Sequence, residues 1–248
     1  MPFCRECGFE VQAGWKFCPN CNAPQETSGT VQSANIKLSD TVIDGNVTIT
    51  QNNADDIASA MVQALERLGF TGQSSPAELT AEQTAQVEQV LEVSEQLAGH
   101  GIEIDPWAEI TLGNAAKLAG RMHSAQQHYL RALGTFRKNG DRQGEAASLN
   151  NLGNIAQTRG DLAEAERLHR ESLVIKREIG GRQGESYSLG NLGNIAETRG
   201  DLAEAERLQR ESLAILREIG DRQGEAASLN NLGNIAKTRG DLAEAERL

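Results

Sequence analysis

Aromatic side chains make up only 4% of the 248 residues, whereas glycine occurs 25 times. That balance disfavours one large globular core and suits thin helical layers packed through Leu, Ala and Gly. No stretch approaches the roughly 18 consecutive apolar residues of a membrane span. The N-terminus carries charges and cysteines where a secretory leader needs an apolar run. Both absences point to a soluble, cytoplasmic protein with no membrane partner. Positive charge is short as well, with 24 Lys+Arg against 35 Asp+Glu and a net charge of -11. Nonspecific nucleic-acid binding draws its affinity from neutralised phosphates, so this acidity argues against a nucleic-acid partner. Catalytic signatures are missing: there is no G-x-S-x-G, no Walker loop and no G-x-G-x-x-G. The histidines are His100, His123, His128 and His169, and the pair five apart, His123 and His128, is poorly placed for one helical face. The chain is therefore not expected to be an enzyme. The alternative is the N-terminal part of a multidomain signalling effector or enzyme whose catalytic region lies beyond residue 248.

Cysteine is confined to the first 21 residues, where Cys4, Cys7, Cys18 and Cys21 read C-x2-C-x10-C-x2-C. Two turns each offer a pair of thiolates to one tetrahedral ion. Gly8 permits the tight turn after the first pair, and Pro19 stiffens the second. A segment this small cannot fold on its apolar core alone, so metal binding supplies most of the folding energy. Two disulfides are the alternative, disfavoured because nothing else suggests secretion. A four-Cys site is closed, which fits a structural Zn2+, one per chain, and no zinc chemistry. The pattern over residues 1–23 resembles the short zinc ribbons at the N-termini of prokaryotic multidomain proteins. Phe3, Trp15 and Phe17 are expected to cover the metal.

Residues 24–35 are polar and read as a linker. Residues 36–70 hold a hairpin signal and a helix. Asp44-Gly45 lies between alternating segments around Val42-Ile43 and Asn46-Val47, which predicts a β-hairpin turn. A lone hairpin is marginal in water. Either residues 36–50 pair with a second copy and the chain self-associates, or the hairpin rests on the next helix. Ile57, Ala60, Met61, Ala64, Leu65 and Leu68 share one face of a helix over 55–68, stopped by Gly69. Residues 71–79 form a second linker. Thr80 with Gln83 makes a capping box for a helix over Ala81–Ala98, with Ala85, Val87, Val90, Leu91 and Leu97 apolar and Gly99 as its stop. Residues 51–110 carry eleven acids and one base, whereas 111–140 carry five bases and no acid. The acidic segment 80–107 is therefore expected to cover the N-terminal end of the helices downstream of it. Asp105-Pro106 opens the next helix.

From there the sequence copies itself. Gly140–Leu168 reads GDRQGEAASLNNLGNIAQTRGDLAEAERL, and Gly220–Leu248 reads the same with Lys237 in place of Gln157. Gly180–Leu208 is a third copy, and Leu112, Gly113, Ala116, Gly120 and Ala125 mark a diverged earlier one at the same 40-residue period. Such a period signals stacked supersecondary units. Each unit holds two helices. Leu149, Leu152 and Ala156 make the stripe of the first, which Gly160 ends. Asp161 caps the second, with Glu164 placed as in a capping box, and that helix runs through Leu162, Ala165, Leu168, Ser172, Ile175 and Ile179. Glu and Arg of each unit fall on solvent faces at i,i+4 spacing, as Glu166 and Arg170 do.

Leu152-Gly153 and Ala165 resemble the small-residue crossing of the tetratricopeptide repeat family, and the long period with its repeated NNLGN resembles the kinesin-light-chain type and the polarity adaptors that bind G-protein alpha subunits. The resemblance implies a mainly α fold, a right-handed α-solenoid with repeats at 108–147, 148–187, 188–227 and a partial 228–248. The second helix of the last repeat is cut in mid-course, so the sequence is expected to be a fragment; the alternative is a natural end. The resemblance further implies an adaptor or scaffold that binds a protein or peptide ligand in a concave groove lined by first helices. Asparagine is a mediocre helix former, yet Asn114, Asn154, Asn194 and Asn234 share one register position, and Asn150 and Asn230 another. With Gln157 they read either as hydrogen bonds between neighbouring helices or as a ladder for an extended peptide backbone. Arg142, Arg182 and Arg222 open the first helices and are expected to select an acidic residue of that peptide.

The cysteine spacing generates the first test. Metal analysis of purified protein should give about one zinc per chain, lost on Cys18→Ser. A metal-free, folded N-terminus with Cys–Cys crosslinks would defeat the assignment.

Overall fold

Caps and glycines cut this chain into helices of similar length. The computed structural model describes residues 37–38, 41–42, 51–70, 76–99 and 101–247. The four cysteines, the linker 24–35 and the turn expected at Asp44-Gly45 lie outside the described residues. The chain divides into two compact units, residues 1–64 with 88–104, and residues 65–87 with 105–248.

Upstream of the repeats, strands β1 (Lys37–Leu38) and β2 (Thr41–Val42) pair antiparallel, Lys37 opposite Val42 and Leu38 opposite Thr41. Helix α1 spans Gln51–Arg67, starting before the expected Asp55. Ile57, Met61 and Leu65, each four residues on, are buried along one face. Helix α2 spans Ala81–Gly99. Its capping box is reciprocal: the Thr80 amide donates to Gln83 Oε1 at 2.9 Å, and the Gln83 amide to Thr80 Oγ1 at 3.2 Å. Two details differ from the sequence reading. Ala85 is exposed, while Val93 and Ser94 join Val87, Val90, Leu91 and Leu97 in the buried set. Gly99 stays helical, and the stop is Gly101, at φ +72° with the Ile102 amide bonded back to the Leu97 carbonyl at 3.1 Å.

The second unit holds the repeats as four helix pairs: α3 (Pro106–Leu118) with α4 (Met122–Asn139), α5 (Arg142–Thr158) with α6 (Leu162–Glu178), α7 (Arg182–Thr198) with α8 (Leu202–Ile219), and α9 (Arg222–Arg239) with α10 (Leu242–Arg247). The repeat frame starting at Ala108 and Ser148 keeps the period but runs through α5; the helix pairs themselves begin at Pro106, Arg142, Arg182 and Arg222. Each helix of the array packs on the next along the chain. First helices also meet each other, α3 with α5 and α7 with α9, whereas successive second helices show no comparable contact among the described residues. Closer spacing of first helices puts them on the inner side of a curved stack.

Local chemistry explains the boundaries. The Asp105 carboxylate accepts from the Trp107 and Ala108 amides at 3.0 Å, with Pro106 in the first turn. The Asp161 carboxylate accepts from the Glu164 amide at 3.1 Å, but Glu164 turns to Arg167, and the Asp161 amide goes to the Ala156 carbonyl, so that capping box is one-sided. Ile179 is exposed rather than part of the stripe, and so is its counterpart Ile219 in the next unit.

Within the first three pairs the two helices cross over a glycine. A Cβ on Gly113 would stand 2.4 Å from the Tyr129 ring, one on Gly153 2.7 Å from the His169 ring, and one on Gly193 2.9 Å from Gln209 Nε2. Tyr129, His169 and Gln209 are all fully buried. The close crossing therefore sits between Gly153 and His169, with the equally buried Ala165 one turn before. Gly113→Ala should destabilise the array by about 1–3 kcal/mol through overpacking against Tyr129. Gly134→Ala, on exposed α4 surface with nothing within 4 Å, should stabilise it by up to about 1 kcal/mol. Urea unfolding of both variants checks the contrast; equal effects would remove the crossing as its cause.

Candidate peptide-binding face

The asparagine row stands on the first helices, half-buried in the inner units and exposed at Asn230 and Asn234. Its side-chain oxygens are engaged within the protein. Asn114 Oδ1 accepts from the Tyr129 hydroxyl at 2.8 Å. Asn150 Oδ1 and Asn154 Oδ1 accept from Asn191 Nδ2 of the next unit, at 3.2 and 3.4 Å. Asn194 Oδ1 accepts from Gln209 Nε2 at 2.8 Å and from Asn231 Nδ2 at 3.3 Å. Asn191 and Asn231, which clasp one unit to the one before, have no signal of their own in the sequence; each directly precedes a Leu-Gly-Asn triplet. Gln157 is half-buried farther along α5. Asn230 and Asn234 line an open cleft of about 330 Å³ with Leu229, Gly233, Lys237 and Ala245.

The expected arginines are paired with carboxylates of this chain. Arg142 Nη1 donates to Glu145 Oε2 at 2.6 Å and its Nη2 to Glu178. Arg182 repeats the arrangement with Glu185 at 2.7 Å and with Glu218. Arg222 donates to Glu225 at 3.1 Å and is the most exposed of the three, its side chain 88% open. The Glu residues correct the reading of solvent faces. Glu145 and Glu185 are buried, and each holds a second arginine from the preceding second helix, Arg137 at 3.0 Å and Arg177 at 2.9 Å. A buried carboxylate with two guanidinium partners joins one unit to the next. In the diverged unit a different buried glutamate, Glu109, ties together the two helices of one pair, with His128 Nδ1 of α4 at 2.5 Å and Arg131 Nε at 2.8 Å.

Sequence reasoning also missed clefts on the opposite face. One of about 390 Å³ lies between α6 and α8, floored by Leu173, Leu189, Leu192 and Leu208. A counterpart of about 280 Å³ lies between α4 and α6. Their rims of Arg and Glu are paired across the gap, as Arg177 with Glu211 at 2.6 Å and Arg199 with Glu166.

This geometry is that of a known repeat. Residues 105–178 and 184–248 match the family model of the tetratricopeptide repeat, more than half of the chain. The chain belongs to the tetratricopeptide-repeat family. Residues 3–25 match the zinc-ribbon domain model. No curated protein matches the chain. Among solved structures the chain is similar to BtubC (BKLC) from P. vanneervenii, at 22% identity and TM-score 0.53, covering 80% of this chain and 88% of that one. It is also similar to a kinesin-light-chain-like protein of Podosopora anserina with nearly identical repeats, at 15% identity and TM-score 0.56, covering 79% and 92%. The apo form of RapI matches at 13% identity and TM-score 0.64, covering 78% and 66%. These likenesses establish the fold. Among the described residues no helix is long and apolar enough to cross a membrane.

Burial also shifts the titration of a histidine in the array. His169 is fully buried with neither ring nitrogen hydrogen-bonded, and burial pushes its pKa down to about 4. The folded state favours the neutral ring. Its contribution to stability is therefore present above the unfolded value of about 6.5 and is lost as pH falls toward about 4. His169→Gln, which installs the residue found at Gln209, should flatten the fall in melting temperature over that window. An unchanged slope would assign the acid sensitivity to other groups.

Proposed function

We propose that the tetratricopeptide array is an adaptor surface that holds an extended peptide of a protein partner along its first helices. The observation that carries the reading is the common polarity of the row. Asn114, Asn150, Asn154 and Asn194 each commit the side-chain oxygen inside the protein. Their Nδ2 groups are left as donors on the inner side of the stack. A row of donors suits the carbonyls of an extended backbone, which recur at fixed intervals whatever the side chains. Asn230, Asn234 and Gln157 extend the row. Arg222, the most open of the three arginines, is the best placed for an acidic side chain of the ligand; Arg142 and Arg182 would have to exchange one glutamate for another carboxylate. The zinc ribbon fits the role of a compact domain folded around one structural Zn2+ held by Cys4, Cys7, Cys18 and Cys21. Residues 36–50 are the segment offered for self-association, and the cytoplasm is the proposed location.

The test starts from a partner captured by the full chain and reduced to a minimal peptide. Asn154→Ala with Asn194→Ala should weaken that peptide about tenfold or more, at roughly 1 kcal/mol for each hydrogen bond lost, with circular dichroism unchanged. Arg170→Ala with Arg210→Ala, on the second helices, should leave affinity within about twofold. Equal losses from both pairs would move the site away from the first helices. Collapse of the asparagine variants would leave those residues a structural role only.

A further inference from the structure

Charge in the array is answered almost entirely from within. Among the described residues 105–247, the Asp, Glu, Lys and Arg side chains meet a cap, an ion pair, a hydrogen bond or an opposite charge of the same chain, except for Lys117, Glu197, Lys237 and Glu246. Glu246 lies in the short helix α10. The other three share one register position of the first helices, at steps of 40 residues, with Gln157 as the remaining member of the row. The same position carries the single difference between Gly140–Leu168 and Gly220–Leu248. Copies that keep the arginine and glutamate of their junctions, Arg142 with Glu145, Arg182 with Glu185 and Arg222 with Glu225, thus change at the charge that has no partner.

The stability of the helices does not explain the change. Gln, Glu and Lys have nearly the same helix propensity. Lys117 and Lys237 suit the last turn of a helix, where the partial charge is negative. Glu197 opposes that charge in the last turn of α7, and no cation of the chain answers it. Packing does not explain the change either. Lys117, Gln157 and Glu197 are half-buried, Lys237 is exposed, and none belongs to the core. What the four share is a place on the peptide face. Gln157 follows Asn150 by seven residues and Asn154 by three, which sets all three on one side of α5. In the last unit Lys237 opens with Asn230 and Asn234 onto one cleft.

We propose that Lys117, Gln157, Glu197 and Lys237 read the order of charges along the bound peptide: an acidic side chain at the first unit, an uncharged one at the second, a basic one at the third and an acidic one at the fourth. The proposal rests on the reading of the first helices as the peptide face, and gives that otherwise repetitive row its selectivity. Packed helices lie about 8–10 Å apart and an extended chain advances about 3.3 Å per residue, so each unit spans about three residues of ligand. The partner segment therefore carries an acid, a base about six residues away and a second acid about three residues beyond the base. Only one register satisfies this order. Sliding the ligand by one unit toward α9 sets its base against Lys237, and sliding it the other way sets its second acid against Glu197.

The probes are two Ser/Thr peptides of about ten residues with blocked ends, one for each chain direction. The first carries Glu, Lys and Glu at its first, seventh and tenth residues; the second carries them at its first, fourth and tenth. In the scrambled control of each, the Lys and the nearer Glu exchange places, so composition and net charge stay the same. Binding to the isotope-labelled full chain is followed by the amide chemical shifts of Lys117, Gln157, Glu197 and Lys237. One ordered peptide should bind about tenfold more tightly than its own scramble, and the preference should vanish near 1 M salt, where the screening length falls to about 3 Å. The double variant Glu197→Lys with Lys237→Glu exchanges two charges of the row at constant net charge. It should prefer the scramble by a similar factor, with circular dichroism unchanged. Equal affinity for ordered and scrambled peptides, or a double variant that keeps the original preference, would overturn the charge order. Binding that falls in Asn154→Ala with Asn194→Ala but ignores charge order would keep the peptide face and remove the charge row. Binding that follows charge order but ignores those asparagines would keep the charge row and remove the asparagine grip. No saturable shift on the first helices with either peptide would remove both.

Discussion

The array depends on two helices crossing at a distance that only glycine allows. Gly113, Gly153 and Gly193 each lie under a fully buried side chain of the partner helix. With few aromatics in the chain, close approach of backbones replaces bulk as the source of packing, and dispersion between densely packed neighbours takes the part that large side chains take in a globular core. The crossing fixes the angle within a pair, and the pair then offers its first helix to the next unit. Everything on the inner face, including the spacing of the asparagines, inherits its regularity from that repeated close approach.

The residue above the glycine is where the units part company. Tyr129 satisfies its hydroxyl with Asn114, and Gln209 satisfies its amide nitrogen with Asn194. His169 satisfies neither nitrogen. An unpaired buried polar group costs free energy comparable to a lost hydrogen bond, so His169 is the least well satisfied of the three, although the sequence of its unit differs little from that of the third. Between units the opposite holds. Glu145 and Glu185 each gather two arginines, one from either side of the junction. Burying a carboxylate is expensive, and two charge-assisted bonds to half-exposed guanidiniums offset that cost while fixing the register of one unit on the next.

Much of this is legible in the sequence. The period, the caps at Thr80, Asp105 and Asp161, and the stripes through Leu149, Leu152 and Ala156 follow from local rules, and the structure places them as expected. What local rules miss are matters of depth and direction. Glu145 and Glu166 look alike in sequence, each about one turn from an arginine, yet the first is buried at a junction and the second lies on the outer face, since burial depends on the neighbouring unit. Gly99 and Gly101 are both plausible stops; the hydrogen bond from Ile102 to Leu97 selects the later one. The asparagines read in sequence as either structural or ligand-binding. Their two ends do different things, with the oxygen turned inward and the amide nitrogen left over.

Near-identity between units raises a problem that the departures answer. A row of identical donors binds any extended backbone and cannot fix where along the row a ligand sits, because each shift by one unit restores the same contacts. Register along a repetitive surface therefore has to come from a position that occurs once. Among the first-helix positions that are not buried in all three units the changes include Ala147/Tyr187/Ala227, Asn150/Gly190/Asn230 and Gln157/Glu197/Lys237. The last is a graded change of charge at the far end of each helix, a neutral, an acidic and a basic residue in turn. The first two coincide in the third unit, next to a buried acceptor that has no partner. Selection of a register needs an energy difference of only about 1–2 kcal/mol between adjacent placements, which one well-formed pair of hydrogen bonds supplies. The fold can thus stay almost perfectly periodic for stability while the third unit differs from its sisters at two neighbouring positions of its first helix, Tyr187 and Gly190.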